Sequence, residues 1–207
     1  MNYCKTKFPV EVERKYDIYD FRHAATILKN DYAEEYKQLI DLLEKFKVTH
    51  GDIMTPGGRK SPIASKFDHA LYGSGWEEKK WDISINIDGV GKPSPTHSVD
   101  YYKNNIAVEL EWNNKDPFYD RDLNNFRLLH QLSIISVGII VTRSDELQHL
   151  FDELGKGSSY GASTTHVKKL MPKILGGGAA ECPLLVFAIT KEACVKEVKE
   201  EMEEVIN

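Results

Sequence analysis

With 207 residues, the chain is long enough for one α/β domain with a sizeable core, and residues 1–207 are expected to form a single domain. The N-terminal residues lack the apolar core of a signal peptide, and no apolar run approaches the roughly 18 residues of a membrane span. A cytoplasmic protein without a membrane partner is therefore expected. No CxxC pair suggests a zinc knuckle. The net charge of −5 is carried mainly by the last 17 residues, so the nearly neutral remainder does not exclude a nucleic-acid partner.

The first half of the chain contains one strong helical pattern and one strand pattern. Asp31 followed by Glu34 resembles a capping box, and apolar residues then recur at helical spacing, which predicts a helix over about 31–47. Residues 48–66 are rich in Gly, Pro and Ser and predict a long loop. Strict alternation from Trp81 to Ile87 predicts a strand, and "DGVGKPSPTHS" after it predicts another loop.

The second half alternates helices with apolar strands. Helices are predicted over 120–132, from Ser144 to about Gly155, and over 167–175. The apolar runs "SVGIIVT" (136–142) and "CPLLVFAIT" (182–190) predict fully buried strands. This order of elements is typical of an α/β protein with a central sheet.

Two carboxylates lie in a further strand-like run, residues 106–112. Because strand side chains alternate, Glu109 and Glu111 point to the same face. Asn104-Asn105 is a plausible two-residue turn to the preceding "SVDYYK", and counting outward from that turn places Asp100 opposite Glu109. The simplest alternative is that this face is exposed to water. Facing acids are destabilising unless something offsets them, however, and a divalent cation such as Mg²⁺ is the natural offset.

The acids also resemble a known motif. Asp100 followed by Glu109-Leu110-Glu111 is similar to the PD-(D/E)XK nuclease motif, in the variant where an acid or amide replaces the terminal lysine, typical of the BamHI, BglII and BstYI group of restriction endonucleases. The likeness extends over "SPIASKFDHALYGSGWEEKKWD" and "SSYGASTTHVKKLMPKILGGGAAECPLLVFAI". Val99 replaces the proline that opens the motif, and Glu111 stands where the closest relatives often carry Gln, which leaves the role of Glu111 open.

The resemblance implies a fold, a reaction and partners. The fold would be restriction-endonuclease-like, a central mixed β-sheet flanked by helices. The protein would be a homodimer that cuts both strands of a short palindrome in double-stranded DNA, with a six-base site, a GATC-like centre and a 5' overhang favoured. Asp100, Glu109 and the backbone carbonyl of Leu110 would hold Mg²⁺. Glu111 would orient the attacking water, accept its proton or bind a second ion.

DNA contacts are expected in two polar segments. Residues 155–166 predict a surface loop with short hydroxyl side chains and glycines, suited to base edges and phosphates. The predicted DNA-binding residues are Ser158, Ser159, Tyr160, Ser163, Thr164, Thr165, Lys168 and Lys169, with Arg59 and Lys60 from the earlier loop. Two alternative functions remain open at this stage: a structure-directed repair or recombination nuclease of the same fold, and a module that binds DNA without cutting it.

Overall fold

The computed structural model describes residues 8–55, 60–94, 96–161 and 163–195. In the first half the elements are α1 (Val10–Lys15), β1 (Tyr16–Phe21), α2 (Ala24–Asp31), α3 (Ala33–Lys45), β2 (Val48–Thr49), α4 (His50–Met54), α5 (Pro62–Tyr72), β3 (Glu77–Lys79), β4 (Ile83–Ile87) and β5 (Val90–Ser94). In the second half they are β6 (Val99–Lys103), β7 (Ile106–Glu111), α6 (Phe118–Gln131), β8 (Val137–Arg143), α7 (Leu147–Glu153), α8 (Val167–Leu175), β9 (Leu184–Ile189) and β10 (Cys194–Val195). No helix within these ranges is long and apolar enough to cross a membrane.

Six of these strands form one mixed sheet in the order β1-β9-β8-β7-β6-β3. β7, β8 and β9 run parallel, and the other neighbours are antiparallel. Every residue of β8 and β9 is buried, as expected for central strands that are covered on both faces. The predicted central mixed sheet flanked by helices is therefore confirmed.

Helices cover the sheet on both faces. One face packs on α1, α2, α3 and α5 through side chains such as Leu28 and Phe67. The other packs on α6 and α8, through Phe126 and Leu170. A Cβ atom at Gly138 would lie only 2.6 Å from the Phe126 ring, so a glycine in β8 lets α6 approach the sheet closely. This close approach fixes the height of α6 above β7 and β8.

The long loop predicted over 48–66 is wrong in most of its length. The Thr49 hydroxyl accepts a hydrogen bond from the Asp52 N–H, and the Asp52 carboxylate accepts one from the Thr49 N–H, which begins α4. The Ser61 hydroxyl caps the start of α5, where Pro62 occupies the first turn. The glycine and proline content of this segment predicted a loop where α4 and α5, two helices with capped N-termini, are found. Buried Phe67 anchors α5 to the core.

Two other predictions need correction. The helix predicted over 31–47 is α3, but its N-cap is Tyr32, and no side chain caps it; Asp31 ends α2 instead. Residues 90–94, predicted as part of a loop, form β5 and pair with β4 through a turn at Asp88 and Gly89. Ile85 is half exposed in this two-stranded sheet, so the alternation that predicted the strand does not mark a core face.

Candidate active site

The β6–β7 hairpin brings Asp100 and Glu109 together. Both residues of the turn, Asn104 and Asn105, have positive φ, and the pairing of Lys103 with Ile106 follows as predicted. The Asp100 N–H donates to Glu109 Oε2 at 3.3 Å, and the Leu110 N–H donates to Asp100 Oδ2 at 3.0 Å. Each carboxylate is therefore held by the opposite strand, at the position that counting from the turn predicts.

Glu109 and Glu111 are almost completely buried, with 0% and 1% of their surface exposed. The alternative that their face of the sheet is wet is therefore wrong. Burial raises the pKa of Glu109 well above its ordinary value, and the charges of Asp100 and Asp122 raise it further. Burial and then the Asp122 charge raise the pKa of Glu111 to about 9, and burial also raises that of Asp100.

A fourth acid, Asp122, joins this cluster from α6, and sequence reasoning missed it. Its side chain is fully buried, and burial raises its pKa to about 6 although the adjacent Arg121 charge opposes the rise. A signal for it exists in the sequence. Tyr119, Leu123 and Phe126 form the buried stripe of α6, and Asp122 lies within that stripe, where an apolar residue would be usual.

Both carboxylate oxygens of Glu111, and its backbone carbonyl, have contacts with neighbouring residues. The Asn114 side-chain amide donates to Glu111 Oε2 at 2.9 Å, and Arg121 Nη2 lies 3.8 Å from Oε1. The hydroxyls of Thr142 and Thr165 both donate to the backbone carbonyl of Glu111, at 2.8 and 3.3 Å. The end of β7 is therefore fixed by β8, by α6 and by the segment before α8.

The acids fit a hard divalent cation in their chemistry. Glu109 Oε1 and Asp122 Oδ2 are buried and have no hydrogen-bond partner among the described residues. Within the same part of the chain no group of three or more His, Cys, Asp or Glu side chains is already arranged as a metal site. Asp100 and Glu109 each accept a hydrogen bond from a backbone N–H with one carboxylate oxygen. The donor set is nevertheless all oxygen, as Mg²⁺ prefers, and a cation would offset the clustered charge.

A cleft of about 540 Å³ opens beside Asp100. Its walls include Lys60, Asn114, Lys156 and Ser159, so the cleft brings one of the acids together with both segments predicted to contact DNA. The Asn113 side chain donates to the backbone carbonyl of Ser159 at 3.1 Å and ties the later segment to the end of β7.

The predicted DNA-binding residues divide by exposure. Those that are exposed are Lys60, Ser158, Ser159, Ser163 and Lys168, while Thr164 and Lys169 are half-buried. Lys60 pairs with Asp68, and Lys169 Nζ lies 3.4 Å from Asp116. Arg59 lies outside the described residues.

The prediction of a surface loop over 155–166 is wrong at Tyr160 and Thr165. Tyr160 ends a 3₁₀ turn and stacks on Phe151 with ring centroids 4.0 Å apart, and Thr165 is fully buried. Arg143, itself buried, donates to the Tyr160 carbonyl at 3.0 Å and to Thr164 Oγ1 at 2.8 Å. Thr165 is therefore inaccessible to DNA in this conformation, whereas Tyr160, although only 7% exposed, still lines the cleft beside Asp100.

The comparison with known proteins agrees with this architecture. A family model described as restriction endonuclease BglII/BglIII matches residues 16–189, from the start of β1 to the end of β9, and the match includes all four acids. No curated protein matches the sequence. The chain therefore belongs to the BglII/BglIII restriction endonucleases, is a nuclease of the type II restriction class that acts on DNA, and has the predicted restriction-endonuclease-like fold.

Proposed function

We propose that this nuclease hydrolyses DNA phosphodiester bonds with Mg²⁺ at a short palindromic sequence, and that it does so as a homodimer. One observation carries the proposal: four carboxylates from β6, β7 and α6 cluster so closely that burial and the Asp100 charge both raise the pKa of the other three, and Asp100 lines a cleft. Clustered acids are destabilising unless a positive charge offsets them. A divalent cation would supply that charge, and hydrolysis of DNA phosphodiester bonds is a reaction that uses such a cation.

Asp100, Glu109 and the backbone carbonyl of Leu110 would hold the metal. A Mg²⁺ ion held by these residues would polarise the scissile phosphate and lower the pKa of the attacking water. The unpartnered Glu109 Oε1 is free to bind a cation without breaking a hydrogen bond. The hydrogen bond from the Leu110 N–H to Asp100 Oδ2 supports Leu110 as the third ligand, because its backbone lies next to that carboxylate.

Glu111 would orient the attacking water and accept its proton. Asn114 occupies one carboxylate oxygen, so the other, Oε1, is the one available to a water. Burial and then the Asp122 charge raise the pKa of Glu111 to about 9 in the metal-free protein, so near neutral pH the carboxyl is protonated and has to ionise before it can accept a proton from water. A cation bound by Asp100 and Glu109 would favour that ionised form.

DNA recognition is proposed for the exposed members of the predicted set. Ser158, Ser159 and Ser163 present hydroxyls that can donate or accept hydrogen bonds at base edges. Lys60 and Lys168 carry charges suited to phosphates. Tyr160, Thr164 and Thr165 were also predicted to contact DNA, and we assign them to support of the segment because their side chains have partners inside the protein.

A homodimer accounts for a palindromic site. The described residues of one subunit contain one cluster of buried acids, and a two-fold dimer would deliver one such cluster to each strand of a two-fold DNA sequence. We propose this symmetry for the protein, with a molecular mass in solution of two chains as its direct test.

The test of the proposed function is digestion of phage DNA with and without Mg²⁺. Discrete fragments that disappear on chelation with EDTA support a sequence-specific, metal-dependent nuclease, and sequencing their ends gives the site and overhang. A smear would indicate cleavage without sequence specificity, and intact DNA would contradict cleavage. Asp100→Asn is the matched inactive control.

A further inference from the structure

Asp122 has no ordinary structural reason to be where it is. It is the fifth residue of α6, beyond the first turn, so it neither caps the helix nor faces the free N–H groups of its N-terminus. Its side chain is fully buried, whereas Asp120 on the same helix is exposed and pairs with Lys173. Burying a carboxylate is costly, and this one keeps Oδ2 without a partner.

The partner that Asp122 does have is Arg121, and the contact is specific. Arg121 Nε donates to Asp122 Oδ1 at 2.9 Å, and Nη2 forms an ion pair with the same oxygen at 2.8 Å. The guanidinium also lies over the Phe118 ring, 4.3 Å from its centroid. One hydrogen bond, one ion pair and a ring contact leave the planar group little freedom to rotate.

The fixed guanidinium faces Glu111. Its Nη2, the atom that bonds Asp122, is also 3.8 Å from Glu111 Oε1. Asn114 holds the other oxygen of the same carboxylate. The close approach of Phe126 to Gly138 sets the height of α6, so the helix backbone at Arg121 and Asp122 cannot move away from β7 without displacing core side chains.

We propose that Asp122 is a positioning residue for Glu111, which acts by anchoring Arg121 against Glu111 Oε1. The inference rests on the proposed function and deepens it by assigning a task to an acid outside the nuclease motif. Asp122 itself touches neither the water nor the phosphate. Without the Asp122 charge the Arg121 guanidinium keeps only its contact with the Phe118 ring and its distance of 3.8 Å to Glu111. Asp122 also contacts the Glu111 carboxyl directly, and the test below distinguishes this contact from the effect through Arg121.

The variant Asp122→Asn removes the charge and keeps the shape. We expect the single-turnover cleavage rate to fall about 10–100-fold, the range for partners that orient a reacting side chain. Binding of the duplex cut by the wild type, measured with Ca²⁺ in place of Mg²⁺, should change less than about threefold, since no DNA contact is lost. Asp120→Asn is the matched control, an acid on the same helix, and should leave both quantities unchanged.

A double-mutant cycle with Arg121→Met decides how Asp122 acts. Each single variant remains measurable, and if Asp122 works through Arg121, the double variant should cut about as fast as the slower single variant. A double variant slowed by the product of the two single effects would overturn the proposal and give Asp122 an independent role. Equal loss of rate, DNA binding and thermal stability in Asp122→Asn would reduce it to a structural residue.

The outcome for the wild type separates this inference from the proposed function. If the wild type leaves DNA intact with Mg²⁺, both fail together. If the wild type cuts and Asp122→Asn cuts at the same rate, only the positioning role fails.

Discussion

Glu111→Gln should stabilise the metal-free protein at neutral and alkaline pH. Burial, and next the charge of Asp122, raise the pKa of Glu111 from 4.5 to about 9. Because the folded pKa is the higher one, the folded protein binds this proton more tightly than the unfolded chain does. The stabilisation is complete below about pH 4.5 and is lost as the pH rises toward about 9, with a slope of about 1.4 kcal/mol per pH unit.

The size of the effect follows from this slope. Between about pH 6 and about pH 8 the free energy of unfolding of the wild type should fall by about 2–3 kcal/mol as Glu111 and the neighbouring Asp122 titrate. A change of 1 kcal/mol moves the melting temperature of a protein of this length by about 2–4 °C. The wild type should therefore lose about 5–10 °C more than Glu111→Gln over the same range.

The assay is thermal unfolding in EDTA across this pH range. Glu181→Gln is the matched control, since the Glu181 side chain is 82% exposed and the same substitution should leave the pH dependence of the wild type intact. Addition of Mg²⁺ should raise the melting temperature of the wild type most at the alkaline end, where ionised carboxylates bind it best. Parallel curves for the wild type and Glu111→Gln in EDTA would refute the argument that Glu111 is held protonated by its burial.

Three further predictions concern the metal, the scaffold and DNA recognition. Asp100→Asn should abolish Mg²⁺-dependent cleavage while the melting temperature in EDTA stays level or rises; a variant that cuts at the normal rate would remove Asp100 from the ligand set. Arg143→Met should lower the free energy of unfolding in urea by about 2–4 kcal/mol, because it leaves the Tyr160 carbonyl without its charged donor; an unchanged urea midpoint would contradict that role. Ser159→Ala should cost about 1–3 kcal/mol of discrimination at one base pair, whereas Lys168→Ala should weaken binding to all sequences and flatten its salt dependence, and competition binding with single-base variants at several salt concentrations distinguishes the two.

Features that depend on neighbours in the chain could be predicted from the sequence. The turn at Asn104-Asn105 and the alternation of strand side chains together fix which residue faces Glu109, and Asp100 is found there. The apolar runs of β8 and β9 predicted central strands because only strands buried on both faces lack polar positions. These inferences hold because the hairpin turn and the strand period are local geometry.

The predictions that failed have two causes, competition between local signals and contacts made only in the tertiary structure. Glycine and proline around residues 48–66 outweighed the caps at Thr49 and Ser61, and two helices were missed. Tyr160 and Thr165 were placed on a surface because serine, threonine and glycine dominate loops generally. Their burial depends on Phe151, Arg143 and the end of β7, which are distant in the sequence.

The sequence by itself determined the acids of the hairpin, the order of the elements and the nuclease motif, since each is set by spacing within a few residues. Only the tertiary structure decided that α6 packs on the same face as Glu109 and Glu111 and adds Asp122 and Arg121 to them. It also decided that this face is dry, because exposure depends on which helix covers the sheet. Burial in turn raises the pKa of every acid in the cluster, and no pattern along one strand contains that information.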